Sequence, residues 1–309
     1  MYRHGTNCDP LNPQGRPDPG LLARLGFGSV RVVLRDDPAV YSYAEGCHAV
    51  GVEILGALAM ESFRWASPEP VHVQAGRMVA AIRPAMVQIG NEPDCRGESS
   101  WHAEPMDYVP LARLIAGEIR WRRPEARILA AGLASGHSWW LREALRVGLN
   151  EVVDGYAVHP YDKPADKARL LIEEYNALTP GRPWYVTEWN RPAAEIPEFA
   201  AMLSEETAGG FWFSWHDFRE WRGGLMGLDG QPKAEYYALM EVLRMPEFLY
   251  GFKRLAEELG EEVVGDPIEE EHYFPDGKTS LQQTTRGLMI YSKEGNQPLF
   301  LPAWPLPNR

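Results

Sequence analysis

The feature that most constrains this chain occurs twice: a short apolar run that breaks where a glutamate emerges. Met86-Val87-Gln88-Ile89 reads as a buried strand and runs into Gly90-Asn91-Glu92-Pro93-Asp94. Pro93 has no amide N–H and a fixed φ, so a central strand cannot continue through it. Trp184-Tyr185-Val186-Thr187 has the same character, and Glu188-Trp189-Asn190 follows at its exit. A single glutamate in such a place is most often a solvated loop residue. In a parallel α/β architecture, however, strand C-termini share one face, and active sites are built there. Two carboxylates delivered in this way are therefore expected to meet.

The rest of the first 245 residues supplies that architecture. Strand and helix signals alternate from the start, as a parallel sheet with crossover helices requires. Strands are expected over 1–6, 29–34, 52–59, 86–89, 127–133, 155–161, 184–187 and 209–215. Helices are expected over 21–25, 41–50, 71–82, 106–122, 138–147, 167–178, 195–206 and 234–243. The helix over 106–122 takes its apolar face from Leu111, Leu114, Ile115, Ile119 and Trp121. Ser29–Leu34, SVRVVL, is almost wholly apolar, as a strand buried on both faces should be. Its one charge is Arg31, and a buried arginine needs an anionic partner, whether structural or functional. Eight strand–helix units over about 245 residues fit a (β/α)8 barrel, the TIM barrel.

Asn91-Glu92-Pro93 after one strand and Thr187-Glu188-Trp189 after a later one resemble the clan A glycoside hydrolases, retaining glycosidases on a (β/α)8 barrel. The resemblance implies that Glu92 is the acid/base and Glu188 the nucleophile. It also implies that Asn91 contacts the sugar 2-hydroxyl and that Arg31, on the second strand, contacts the nucleophile carboxylate. His159-Pro160-Tyr161 ends the sixth strand and matches the same family, in which the tyrosine hydroxyl hydrogen-bonds the nucleophile. His159 is equally readable as a satisfied strand-end histidine. Trp215, at the expected end of the eighth strand, falls where the family places the floor of the subsite next to the cleaved bond. One departure is the missing histidine at the end of the third strand, which leaves the subfamily open. In the implied chemistry Glu92 holds its proton because Glu188 beside it is negative, and gives up that hold once Glu188 is esterified.

Composition narrows the partners. A formal net charge of −12 argues against nucleic acid, which needs a basic face, and leaves a neutral oligo- or polysaccharide compatible. Eleven tryptophans offer faces for sugar rings, although core packing is the ordinary use of each one. No cofactor is expected. The eight histidines lack zinc-type spacing, so no metal is expected either. Cys8, Cys47 and Cys95 are odd in number, which argues against a disulfide framework, and Cys8 and Cys95 follow strand ends, where free thiols would border the site. No run is long enough to span a membrane. The first residues hold no apolar leader, so the cytoplasm is the default expectation. Oligomeric state is not legible.

After Met245-Pro246 the character changes. Residues 246–309 carry a short helix expected over 251–259, an acidic stretch (Glu261-Glu262 and Glu269-Glu270-Glu271) and alternating β-type runs over 280–292. They are expected to form a small β-rich module packed on the barrel, resembling modules appended to some carbohydrate hydrolases. Two alternatives to a glycosidase stay open: a non-catalytic carbohydrate-binding barrel, and a barrel enzyme of other chemistry, since the fold hosts many.

Overall fold

The computed structural model describes residues 3–59, 62–63, 67–95, 102–134, 136, 138–161, 163–218, 221–243, 252, 255–256, 259–264, 272–273, 279–284, 286–292 and 297–302. The chain divides into two compact units, Met1–Leu243 and Arg244–Arg309.

In the first unit eight parallel strands close into a barrel in sequence order. They are β1 (Arg3–Cys8), β2 (Ser29–Val33), β3 (Glu53–Leu58), β4 (Met86–Ile89), β5 (Arg127–Leu133), β6 (Gly155–Val158), β7 (Trp184–Trp189) and β8 (Gly209–Trp212). The principal crossover helices are α1 (Pro19–Arg24), α2 (Pro38–Ala49), α3 (Val71–Ile82), α4 (Pro105–Arg122), α5 (Ser138–Arg146), α6 (Ala165–Leu178) and α7 (Ile196–Glu206), with α8 (Ala234–Leu243) after the last strand. Asp18 and Asp37 begin α1 and α2, their carboxylates accepting from the amides of Leu21 and Ala39. Such caps satisfy N–H groups that have no partner within the helix. The result is a (β/α)8 TIM barrel.

Side-chain direction along the strands divides the barrel interior into layers. Leu55, Met86, Leu129, Tyr185 and Phe211 form an apolar cluster of their own, separate from the larger core between strands and helices. Two residues further along β4 and β7, on the same face, stand Gln88 and Thr187, both fully buried. An apolar layer thus underlies a polar one towards the C-terminal mouth.

The structure departs from expectation at element ends. β6 stops at Val158 and β8 at Trp212, three residues short of Tyr161 and Trp215. Past Val158 the chain runs into Pro160, which cannot donate to a ladder. Past Trp212 the Phe213–Ser214 peptide is cis, and Trp215 N donates instead to Asn7 O at 3.0 Å. On α4 the buried stripe is Tyr108, Val109, Ala112, Ile115, Ala116 and Ile119. Leu114 and Trp121 are 57% and 73% exposed, so the inward face lies to one side of the expected one.

In the second unit four antiparallel strands, β9 (His272–Tyr273), β10 (Thr279–Thr284), β11 (Gly287–Ser292) and β12 (Gln297–Pro302), form a meander in sequential order. A short helix occupies Glu261–Val264. Phe252, Leu255, Ala256, Val264 and Met289 make this unit's own core. Most of the helix expected over 251–259 and all of 269–271 lie outside the described residues. Among the described residues no helix is long and apolar enough to cross a membrane.

Candidate active site

Both glutamates reach the barrel mouth through local irregularities. After β4, Gly90 and Glu92 both have positive φ, 88° and 48°. Glu92 N donates to Gly132 O at 2.9 Å, tying the turn to β5. A left-handed backbone is uncommon for a residue with a Cβ, and such residues cluster at functional sites. Glu188 lies within β7 rather than beyond it, because β7 carries an extra residue. Val186 pairs with Gly210 and Trp189 with Trp212, so three steps on β7 match two on β8. Strict alternation would turn Thr187 and Glu188 to opposite faces, and a bulge re-aims a side chain. Here Thr187 and Glu188 both belong to the hydrogen-bond network of the mouth.

β5 has a similar shift, with Leu129 opposite Gly155 and Gly132 opposite Ala157. It brings Gly132 beneath His159, where a Cβ would lie 2.1 Å from the ring Nε2. Only glycine leaves room for the imidazole.

Arg31 organises the floor. Its Nη1 donates to Asn7 Oδ1 at 2.6 Å and to Glu188 Oε1 at 2.7 Å. Its Nη2 donates to Asn91 Oδ1 at 2.7 Å, and its Nε to Gln88 Oε1 at 3.3 Å. Asn7 and Gln88 were not anticipated; Gln88 is the one polar residue of an otherwise apolar strand, the signal that marked Arg31, whereas β1 is polar along most of its length and gives Asn7 no such mark. Asn7 Nδ2 donates to the carbonyls of Thr187 and Trp212 at 3.0 and 3.1 Å, closing β1 against β7 and β8.

Tyr161, beyond β6, donates its hydroxyl to Glu188 Oε2 at 2.5 Å. Burial first, and then the adjacent Glu188 charge, raises the Tyr161 hydroxyl well above its ordinary value, so it remains a donor. Burial alone would raise Glu188 too. The His159 ring, the Arg31 guanidinium and the Tyr161 hydroxyl outweigh it and hold the carboxyl below its ordinary value. His159 is 1% exposed. Its Nδ1 lies 2.9 Å from Glu92 Oε1 and its Nε2 2.9 Å from Thr187 Oγ1.

Arg31, Asn91, Glu92, Tyr161, Glu188 and Trp215 line one cavity of about 1050 Å³. Trp215 reaches its wall but is only 6% exposed, its ring edge-on to Phe27 and Tyr236. The Phe213 ring lies 6.2 Å from Tyr161, which holds Glu188, and 5.4 Å from Trp221 between ring centroids. Phe213 and Trp221 belong to the loop after β8, whose course the sequence does not fix. Cys8 also lines the cavity. Burial pushes its thiol far up, and pushes Cys47 up to about 12 and Cys95 to about 11. All three cysteines are free and, at neutral pH, protonated and poor nucleophiles.

Among the described residues, one group of ionisable side chains brings its ligand atoms within metal-binding reach, and it is this site: atoms of Glu92, His159 and Glu188 all within 4.8 Å of one another.

Solved structures of several glycoside hydrolases share the closed parallel barrel. A GH39 β-xylosidase from Caulobacter crescentus superposes with a TM-score of 0.66 at 17% identity, over 94% of this chain and 76% of that one. A glucosidase from Croceicoccus marinus gives 0.64 at 14%, over 94% and 75%. A GH5_18 enzyme from Streptomyces cattleya, solved with GlcNAc, gives 0.61 at 19%, over 79% and 80%. No family model and no curated protein sequence matches the chain.

Proposed function

We propose that this protein is a retaining O-glycoside hydrolase for β-linked sugars, with Glu188 as nucleophile and Glu92 as acid/base. The observation that carries the reading is the approach of the two carboxylates, with oxygens within 4.8 Å. Retaining sites place their carboxyl groups about 5–5.5 Å apart, whereas inverting sites leave roughly 6.5–9.5 Å for a water.

The assignment of roles follows from the surroundings. Glu188, buried and held ionised by Arg31 and Tyr161, attacks the anomeric carbon. Glu92, 15% exposed in its side chain, protonates the departing oxygen. Esterification of Glu188 removes its charge, and Glu92 then takes a proton from the incoming water. Glu92 Oε1 and Thr187 contact opposite nitrogens of His159, which therefore steadies the acid/base through the exchange. Asn91 accepts from Arg31 through Oδ1, which orients its amide so that Nδ2 serves the sugar 2-hydroxyl, a contact that strengthens in the transition state. Phe213 and the accessible edge of Trp215 give the sugar ring an apolar wall.

Aryl β-glycosides test the reading. Wild type is expected to release a product that first retains its anomeric configuration by NMR, and a slow 2-fluoro glycoside is expected to label Glu188. An inverted product or a label elsewhere would overturn the mechanism. Binding of glycosides without turnover would make the barrel a carbohydrate-binding protein instead.

A further inference from the structure

Two exposed side chains in the cavity wall have no part in this mechanism. Phe218 and Leu228, on the connection between β8 and α8, line the same cavity as Glu92 and Glu188 and are 39% and 49% exposed. A single exposed apolar side chain is ordinary, but apolar side chains gathered in the lining of a cavity mark a ligand surface. Phe218 is joined to the reacting carboxylate by a series of ring contacts. Tyr161, whose hydroxyl bonds Glu188, meets Phe213 edge-on at 6.2 Å between centroids, and Phe213 meets Phe218 edge-on at 6.1 Å. Trp221 completes the group, 6.0 Å from Tyr161.

The connection is built to keep these side chains where they are. Phe218 N donates to Trp221 O at 3.3 Å and Trp221 N to Phe218 O at 2.9 Å, while Asp217 N donates to Met226 O at 2.8 Å. Leu228 stands in a turn closed by Gly227 N donating to Gln231 O at 2.8 Å and Gly230 N to Gly227 O at 2.9 Å. The polar side chains of this wall are engaged within the loop itself. Ser214 Oγ donates to His216 O at 2.7 Å, His216 Nδ1 bonds the Asp217 carbonyl, and Asp217 Oδ1 accepts from Gly224 N at 2.8 Å. All three residues are buried. Among the described residues, then, this wall presents carbon to a ligand, whereas the connection after β1 lines the cavity with Asp9, Asn12 and Gln14.

Glu188 and Arg31 are 5% and 4% exposed, so a sugar whose anomeric carbon meets Glu188 sits deep, and what it carries at that carbon extends outward. A second sugar on this wall would desolvate hydroxyls without pairing them. An aryl or alkyl group would instead cover apolar surface with apolar surface. We infer that the substrate is a glycoside with an apolar aglycone, an aryl or alkyl alcohol, and that Phe218 and Leu228 select it. The inference rests on the glycosidase reading above.

The test compares kcat/KM for methyl, hexyl and octyl β-glycosides, kept below their micelle concentrations, and for a β-linked disaccharide. All carry the glycon that wild type hydrolyses fastest as its aryl glycoside. Alkyl alcohols differ little as leaving groups, so the series varies contact rather than chemistry. Wild type should favour octyl over methyl by about 10–100-fold, the effect of burying roughly two to three methylenes, and should favour octyl over the disaccharide. Phe218→Ala and Leu228→Ala should each cut the octyl-to-methyl ratio about three- to tenfold, and Phe218→Leu should keep more of it than Phe218→Ala. Both side chains are more than a third exposed, so melting temperatures should change little. A ratio near one in wild type, or one that neither alanine variant lowers, would overturn the inference and leave the glycosidase reading standing. Preference for the disaccharide would do the same, and would make the wall a second sugar subsite. If wild type hydrolyses no glycoside, that reading fails and the inference falls with it.

Discussion

Arg31 joins four strands through one side chain, donating to Asn7 on β1, to Gln88 and Asn91 on and beyond β4, and to Glu188 on β7. Lysine has a point charge and no fork, so it cannot hold these acceptors at once. Arg31→Lys is accordingly expected to lower kcat by about 10²-fold or more, since misplacing a reacting group by an ångström costs that much. Glu92→Gln and Glu188→Gln should each remove nearly all hydrolysis, about 10²–10⁴-fold for the acid/base and more for the nucleophile, with the folded circular dichroism spectrum retained. Unchanged turnover in either variant would dissolve the assigned pair. The depressed Glu188 carboxyl sets a pH dependence with a definite sign. A lowered folded-state value contributes stability above the unfolded-state value near 4.5, and that contribution is lost as pH falls through the folded one. Wild type should thus lose melting temperature on acidification below that value by more than Glu188→Gln does; parallel acid profiles would contradict the ionised pair.

At the scale of elements, the decisive features are the bulges on β5 and β7. Gly132→Ala places a methyl where the His159 ring stands. It should lower activity about tenfold or more, through the displaced contact with Glu92, with a smaller effect on melting; wild-type activity would show that His159 does not need its place. These elements also mark what the sequence made legible. The strands, their order and the convergence of Glu92 with Glu188 followed from apolar runs, a proline stop and alternation. Asn91, Arg31, His159 and Tyr161 all enter the hydrogen-bond network of the site. The bulge that puts Glu188 inside β7 was not legible, because an extra residue in a ladder depends on its neighbour's register rather than on its own composition. Trp215 illustrates a second limit. A tryptophan near a strand end is equally compatible with a cavity wall and with a core. The turn at Phe213–Ser214 buries most of it against Phe27 and Tyr236. Trp215→Ala should therefore lower the melting temperature as well as activity, the stability loss being about 3–5 kcal/mol for a buried tryptophan.

At the scale of the molecule, the catalytic apparatus proposed here lies within Met1–Leu243, and the second unit has a core of its own. A chain ending at Met245 is expected to fold and to hydrolyse a small aryl glycoside. A folded but inactive truncation would place part of the machinery in 246–309. The layering of the barrel has a further consequence. Beneath the Arg31–Glu188 pair the apolar layer of Leu55, Met86, Leu129, Tyr185 and Phe211 acts as an electrical insulator, open to mobile ions only from the mouth. Counter-ions screen exposed charges within about 8–10 Å at ordinary salt but reach buried pairs far less. Adding salt should therefore leave the acid limb of the rate profile where it stands, even as it erases the surface ion pairs around the helices. A sugar seated in the mouth closes the remaining route, so in the proposed cycle the proton that Glu92 gives up can pass only to the departing oxygen, and the one it regains can come only from the water that follows.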